Sequence, residues 1–415
     1  MSVARGLAAL ALTVSALLPA PAPGAGGGAR RIAWSRLADA PSSRTEVTAA
    51  VQGGAAIQGG KVYVAGGYAA PAQTVDAVDV YDPASDSWSA GPPLPLAVNH
   101  AMAASSGGTA YVMGGYTAAG PPTARAFALA GGTWTELPPM PEPRAAGGAT
   151  EAGGRIYVAG GVGPAGLATT TMVFDPRAGT WSLASGLLRP REHMGVAAVG
   201  NRVYAVGGRD GTAPGLPDVE VFIPSSGKWK RLPDLPTPRG GMAATGTDNG
   251  FVVAVGGEAA ATFREAEAFD VRRKRWIRLP GMPTSRHGLG VVALGDTVLT
   301  LMGGVTPGLS FSPATEALDL GSLDQLRCFG RSPDVVGEPG PDVLTGSNAP
   351  ETFVLQGGDD VVKAGGGADR VCAGGGRDEV SGQGGGDRLD GGPGRDRCRG
   401  GPGRDEQRRC ERGAA

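Results

Sequence analysis

Eight carboxylates stand at an unbroken spacing of nine near the end of the chain: Asp342, Glu351, Asp360, Asp369, Asp378, Asp387, Asp396 and Asp405. Two positions after the acid comes an apolar side chain in six of the units: Leu344, Phe353, Val362, Val371, Val380 and Leu389. Cys398 and Gln407 take that place in the last two. Glycine fills the turn before the acid, as in Gly391-Gly392-Pro393-Gly394-Arg395-Asp396. Carboxylates beside turn carbonyls form the donor set of a hard divalent cation, which takes roughly six to eight oxygens at about 2.3–2.6 Å. A glycine-rich disordered tail gives no reason for acidic and aliphatic positions to keep this register.

These units resemble the GGxGxDxUx nonapeptides of the RTX, or hemolysin-type, calcium-binding family across residues 337–408. The resemblance implies a parallel β-roll with Ca2+ as its cofactor. Turn carbonyls and acidic side chains would hold each ion between turns two units apart. Successive units alternate sides, so Asp342, Asp360, Asp378 and Asp396 should line one edge and Glu351, Asp369, Asp387 and Asp405 the other. Each file would stack like charges roughly 4.8 Å apart, one strand spacing, which is unfavourable without a cation. The inward apolar residues make only a thin core, so folding should require calcium. Some units depart from the pattern. The second has Ser347, Ala349 and Pro350 in its turn, and the third begins Leu355-Gln356. Arg377, Arg395 and Arg404 directly precede expected ligands and should weaken the later sites.

Upstream, a longer period sets the elements. Glycine doublets at Gly66-Gly67, Gly114-Gly115, Gly160-Gly161, Gly207-Gly208, Gly256-Gly257 and Gly303-Gly304 are spaced by 48, 46, 47, 49 and 47. Each ends an apolar or β-branched run such as Val62-Tyr63-Val64-Ala65. Trp88, Trp134, Trp181, Trp229 and Trp276 follow the first five doublets, and seven residues before each stands Tyr81, Phe127, Phe174, Phe222 or Phe269. This pattern resembles the kelch repeat, whose units are four-stranded blades of a β-propeller. Glycine permits positive φ and close passage of a neighbouring blade, and the aromatics fill the wedge between blades. The sixth repeat has Gln325 where its Trp is due, while Ile32-Ala33-Trp34-Ser35 reads as a strand with no partner nearby. The N-terminal strand is therefore expected to complete the sixth blade and close the ring.

Two residue sets in the ring invite chemistry. Arg44, Arg144, Arg191, Arg239 and Arg286 precede the first strands of five blades, with Val98-Asn99 at that place in the second. They read either as a basic rim for acidic ligands or, preferably, as part of the repeat's own framework. His100, His193 and His287 fall near the same place in alternate blades, as a pseudo-threefold metal site would require. His287 aligns one residue early, however, and histidine is common there in kelch repeats, so a structural role is expected. Galactose oxidase is a kelch-related enzyme, but its copper centre is associated with a Tyr–Cys cross-link, and no cysteine lies within residues 30–325.

Composition narrows the classes. With 38 basic and 39 acidic side chains in 415 residues, the net charge is -1, which excludes a strongly basic nucleic-acid binder. Gly 73 and Pro 34 reach the fraction typical of low complexity, but the glycines are periodic. Met1–Arg5, an apolar run from Gly6 to Leu18 and the small residues of Ala20-Pro21-Ala22 follow the pattern of a secretory signal peptide over 1–25. That run is shorter than the about 20 residues a membrane span needs, so no span is expected. Cys328, Cys372, Cys398 and Cys410 suit an oxidising compartment. Three pairings are open, of which Cys328–Cys372 with Cys398–Cys410 closes short loops.

The expected protein is all-β: a signal peptide (1–25), a six-bladed kelch-like β-propeller (30–325) and a C-terminal parallel β-roll with disulfides (326–415). It is expected to be secreted or cell-surface associated and to bind Ca2+ and a carbohydrate or protein partner, without nucleic acid. The alternative is a carbohydrate-modifying enzyme such as a sialic-acid mutarotase-like isomerase, for which Glu192 beside His193 is a candidate acid/base residue.

Overall fold

The computed structural model describes residues 31–52 and 60–411, so the signal-peptide expectation at 1–25 lies outside the described residues. The fold is all-β. Among the described residues, six four-stranded antiparallel units form between Trp34 and Asp319, five as separate sheets and the fifth in the chain as part of a larger sheet, and no helix is long and apolar enough to cross a membrane. The first sheet, for example, runs Thr48–Gln52, Lys61–Ala65, Val78–Asp82 and Ser87–Ala90 in order. The first strand of each sheet touches that of the next, and Gly290–Leu294 of the sixth meets Thr48–Gln52 of the first, so the ring is closed. Trp34–Arg36 pairs antiparallel with Thr315–Asp319 and supplies the outer strand of the sixth sheet.

The recurring residues explain the ring. Tyr81–Trp88, Phe174–Trp181, Phe222–Trp229 and Phe269–Trp276 stack with ring centroids 4.9–5.3 Å apart. Each indole also bonds back to an earlier stretch of chain. Trp88 Nε1 donates to Ala38 O, Trp134 to Pro92 O, Trp181 to Pro138 O and Trp276 to Pro233 O. The doublets mark where the next blade enters. Gly66 has φ 64°, and a Cβ there would lie 2.4 Å from Val98 O, so only glycine fits. The following amides repeat one bond around the ring, from Gly67 N to Val98 O through to Gly303 N to Arg44 O, and in the sixth blade Met302, at φ 57°, takes the first glycine's place so that the doublet lies one residue later.

The five arginines form no basic rim. Each is 0–1% exposed. Arg286 donates to Met302 O, Ala314 O and Glu316 Oε2, and Arg239 to Gly256 O and Glu267 Oε2. Arg191 pairs with Glu220 and Arg44 with Asp79. These four acids stand at one equivalent place in the third strand of their blades. Blade three has Met172 there, and Arg144 turns to Glu142 and Thr170 instead. Blade two lacks the arginine (Val98) and also lacks the acid, with Arg125 in its place. The guanidinium and carboxylate are thus one buried unit of the repeat.

After a 3-10 turn at Leu323–Gln325 the chain enters a parallel solenoid. Val343–Thr345, Val361–Lys363, Glu379–Ser381 and Arg397–Arg399 form one sheet. Val335–Val336, Thr352–Val354, Arg370–Cys372, Arg388–Asp390 and Glu406–Arg408 form the other. Phe353, Val362, Val371, Val380 and Leu389 are buried between them. Cys328 pairs with Cys372 and Cys398 with Cys410.

The two repeat regions share a sheet. Arg275–Leu279, the outer strand of the fifth blade, pairs parallel with Val335–Val336 through Arg278 and Val335. Arg275 bonds Asp334, Ser332 and Pro333, and Gln356 exchanges two hydrogen bonds with the backbone of Ile32. Val336 packs in one apolar cluster with Ile32, Ile277 and Leu318. The outermost propeller strand is thereby covered rather than left as an open edge.

Candidate metal centre

Each acid of the nine-residue period sits at the end of a turn, directly before a three-residue strand, and the solenoid stacks every second turn. A backbone-to-carboxylate ladder results. The amides of Asp342, Asp360 and Asp378 donate to Oδ1 of Asp360, Asp378 and Asp396 at 2.8, 2.9 and 3.0 Å. On the opposite edge, Glu351, Asp369 and Asp387 donate to Oδ1 of Asp369, Asp387 and Asp405 at 2.8, 3.0 and 3.0 Å. The two files therefore run 342–360–378–396 and 351–369–387–405.

The second oxygen of these carboxylates has no such role. Oδ2 of Asp360, Asp369, Asp378, Asp387 and Asp396 is buried without a hydrogen-bond partner. The residues themselves are 0–2% exposed. A buried, unpaired carboxylate oxygen is costly unless a cation meets it. The turn also folds closely over its own acid: a Cβ on Gly382 would lie 2.2 Å from Asp387 Oδ2, and one on Gly391 2.7 Å from Asp396 Oδ2. Carboxylate oxygen is the donor type that a hard cation takes, so these five aspartates are the candidate residues to hold one.

The remaining three acids of the period differ. Asp342 Oδ2 accepts the Glu338 amide at 2.9 Å. Glu351 turns toward the propeller, where its Oε1 lies 3.5 Å from Arg278 Nη2, and its Oε2 accepts the Ser347 amide. Asp405 is half-buried and closes its file. Arg377 does not face Asp378. It pairs with Asp359 at 2.8 Å on the surface, so the expected weakening of that site loses its cause.

Burial, more than mutual repulsion, sets the charge state of these groups. It pushes the Asp360 carboxyl up to about 7 and those of Asp342 and Asp369 up to about 6. The neighbouring like charge is a smaller contribution in the same direction for Asp360 and Asp369. Asp378 and Asp387 are raised for the same reasons. Like-charge stacking is thus unfavourable as expected, but desolvation is the larger cause.

A second polar cluster lies at one mouth of the propeller channel. Glu46, His100, Ala146, His193, Gly241 and Gly288 occupy one equivalent position in the six blades, all with left-handed backbone between φ 50° and 63°. Their amides form a closed circuit: Gly288 N donates to Gly241 O, and so on through His193, Ala146 and His100 to Glu46, with Val47 N returning to Gly288 O. His100 Nε2 lies 3.2 Å from Glu46 Oε2, and the His100 and His193 rings meet edge-on at 4.8 Å. Arg209 bridges Glu192 and Glu258. His287, one residue before the ring position, turns its Nδ1 to Glu46 at 3.4 Å and Glu258 at 3.6 Å, so the threefold histidine arrangement does not form. Glu46 was missed by residue type. Its signal was register, two residues after Arg44 as His193 is after Arg191.

Models of known families match the chain in two places. The kelch motif matches residues 49–95, 143–188 and 190–236, and the RTX calcium-binding nonapeptide repeat matches 345–380 and 373–406. No curated protein matches the chain. Seven of the eight acids of the period, Glu351 to Asp405, fall within the second match and Asp342 just ahead of it, and the channel-mouth residues of the first and fourth blades adjoin or lie within the first. The chain is a calcium-binding repeat protein in which kelch motifs, and the propeller they build, are followed by RTX calcium-binding nonapeptide repeats.

Proposed function

We propose that this protein is exported, completes its C-terminal roll by taking up calcium, and presents its propeller to a carbohydrate or protein partner at or outside the cell surface. The observation that carries the calcium assignment to residues is the set of buried, unpartnered Oδ2 atoms on Asp360, Asp369, Asp378, Asp387 and Asp396. Export is supported by the leader pattern at 1–25 and by two disulfides, which persist in oxidising compartments. The partner face is supported by the channel mouth, a cavity of about 130 Å³ lined by Glu46, His100 and His193. Ligand sites favour such concave places with a few convergent polar groups.

A glycan-array and pull-down screen with the full chain in millimolar calcium tests the binding reading. Capture that needs the mouth residues supports it, and capture by neither method counts against it. The enzyme alternative draws on the same mouth, where Glu46, Glu192, Glu258, His100, His193, His287 and Arg209 gather acids and bases in one place. Its test is anomer exchange or conversion of a captured sugar followed by NMR. Unchanged sugar after prolonged incubation removes the enzyme alternative.

A further inference from the structure

We propose that Glu46, His100 and His193 hold a divalent transition-metal ion of the zinc class on the propeller axis, at the mouth of the central channel. This site is separate from the calcium edges of the roll and does not depend on their assignment. One ligand atom from each of the three residues lies within 4.8 Å of the others. The closest pair, His100 Nε2 and Glu46 Oε2, is 3.2 Å apart. Two ligands on one tetrahedral ion with bonds of about 2.1 Å stand roughly 3.4 Å apart, so this pair is already at ligand spacing.

The hydrogen bonds around the cluster set its tautomer. Asn99 Nδ2 donates to Thr74 Oγ1 at 2.7 Å, which leaves Asn99 Oδ1 to accept from His100 Nδ1 at 2.6 Å. The lone pair of His100 Nε2 then faces the Glu46 carboxylate. Two acceptors at 3.2 Å repel unless a proton or a metal cation lies between them. A metal-bound histidine is oriented in this same way, its other ring nitrogen fixed by an oxygen acceptor. His193 is 9% exposed and its buried Nδ1 has no hydrogen-bond partner, although Glu192 Oε1 lies 3.2 Å away. Glu192 is in turn held by Arg209, so an outer shell of fixed charge surrounds the second imidazole.

The backbone points the same way. Glu46, His100 and His193 adopt φ of 52°, 51° and 50°, a region that disfavours side chains other than glycine. Of the six ring positions, two are glycine and one is alanine, which leaves room at the axis for the three long side chains to converge. The ring imposes this backbone on all six positions, and long polar side chains kept where glycine is favoured point to a use for them. Two imidazoles and one carboxylate suit zinc and its neighbours rather than calcium, which takes oxygen donors. Three protein ligands also leave a coordination position toward the channel, where an oxygen of a bound ligand can enter.

The test uses the full-length chain held in millimolar calcium, titrated with Zn2+ and separately with Co2+. One equivalent of zinc is expected, with a raised unfolding temperature and visible d–d bands of low-coordinate cobalt. His193→Asn and Glu46→Gln should each lower zinc affinity by about 100-fold or more, because they remove a ligand and not an outer partner. Their melting in zinc-free calcium buffer reports whether the fold is kept. Absence of zinc uptake, cobalt with the weak spectrum of the hydrated ion, or unaltered affinity in a folded His193→Asn variant overturns the proposal. The wild-type cobalt spectrum decides the matter even if neither variant folds.

Discussion

Asp378 Oδ1 accepts the amide hydrogen of Asp360 at 2.9 Å, while Asp378 Oδ2, equally buried, has no partner. One oxygen of the carboxylate joins the backbone ladder, and the other is the one we propose for calcium. The same division recurs at Asp369, Asp387 and Asp396, which makes the roll a scaffold whose hydrogen bonds are complete only on one side. The stacked turns bring these free oxygens to two edges, and burial makes each of them expensive without a cation.

Replacing Asp378 by Asn should therefore have opposite effects in the two calcium states. Without calcium the substitution removes a buried charge and raises the melting temperature of the roll. With calcium it removes a ligand and lowers both affinity and melting temperature, the stability lost at that site being about 1–3 kcal/mol. Paired thermal melts with calcium and with chelator check the crossing. Parallel shifts in both buffers contradict the ligand role.

The raised carboxyls give the calcium-free roll an unusual pH dependence. Asp360 is pushed up to about 7, and Asp342 and Asp369 up to about 6, above the about 4 of an unfolded carboxyl. The folded state then binds more protons than the unfolded one between about pH 4 and pH 7, so stability falls as pH rises through that window. Calcium-free protein should melt lower at pH 8 than at pH 5. Calcium requires the ionised form, so its uptake near pH 6.5 should release protons. Melts at the two pH values and calorimetry in buffers of different ionisation enthalpy measure both effects.

In the propeller, Arg286→Met should destabilise by about 3–5 kcal/mol, because Glu316 is left as a buried, unpaired charge. Adding Glu316→Gln should recover much of the loss. Blade two, with Val98 and Arg125 at the two equivalent places, shows that the repeat tolerates loss of both partners together. Denaturant unfolding of the single and double variants checks this. Equal losses in both contradict the pairing.

Periodicity made some features legible and concealed others. The nine-residue spacing sorted the eight acids into the two files that the backbone ladder joins, since alternation of sides follows from the repeat. The glycine doublets and Trp positions likewise mark blade borders, because glycine is demanded where Val98 or Arg144 passes close by. The channel-mouth cluster was less visible. Its members are Glu in one blade, His in two, and small residues elsewhere, so no single residue type repeats. The junction of Arg278 with Val335 was not legible at all, because it pairs strands from two unrelated periods. Nor did spacing reveal that burial outweighs repulsion at Asp360, which depends on how tightly the turns close over it.

That junction implies a gradient of order. Val335–Val336 is paired to the fifth blade, and Cys328–Cys372 ties the connecting segment to Arg370–Cys372, a strand of the same sheet. The early units should keep protection against hydrogen exchange in chelator, whereas units beyond Arg388 should exchange quickly. Cys328→Ser with Cys372→Ser should lower the stability of the calcium-free roll by about 2–4 kcal/mol. Uniform exchange across 335–408 contradicts this gradient.

Calorimetric titration of calcium into the chelator-stripped full-length chain tests the role of the aspartate files most directly. Uptake of more than one calcium per chain is expected, with the heat lost stepwise as Asp360→Asn, Asp369→Asn and Asp387→Asn are combined. Titration without heat or uptake, or uptake that survives all three substitutions unchanged, contradicts the assignment of calcium to these buried oxygens.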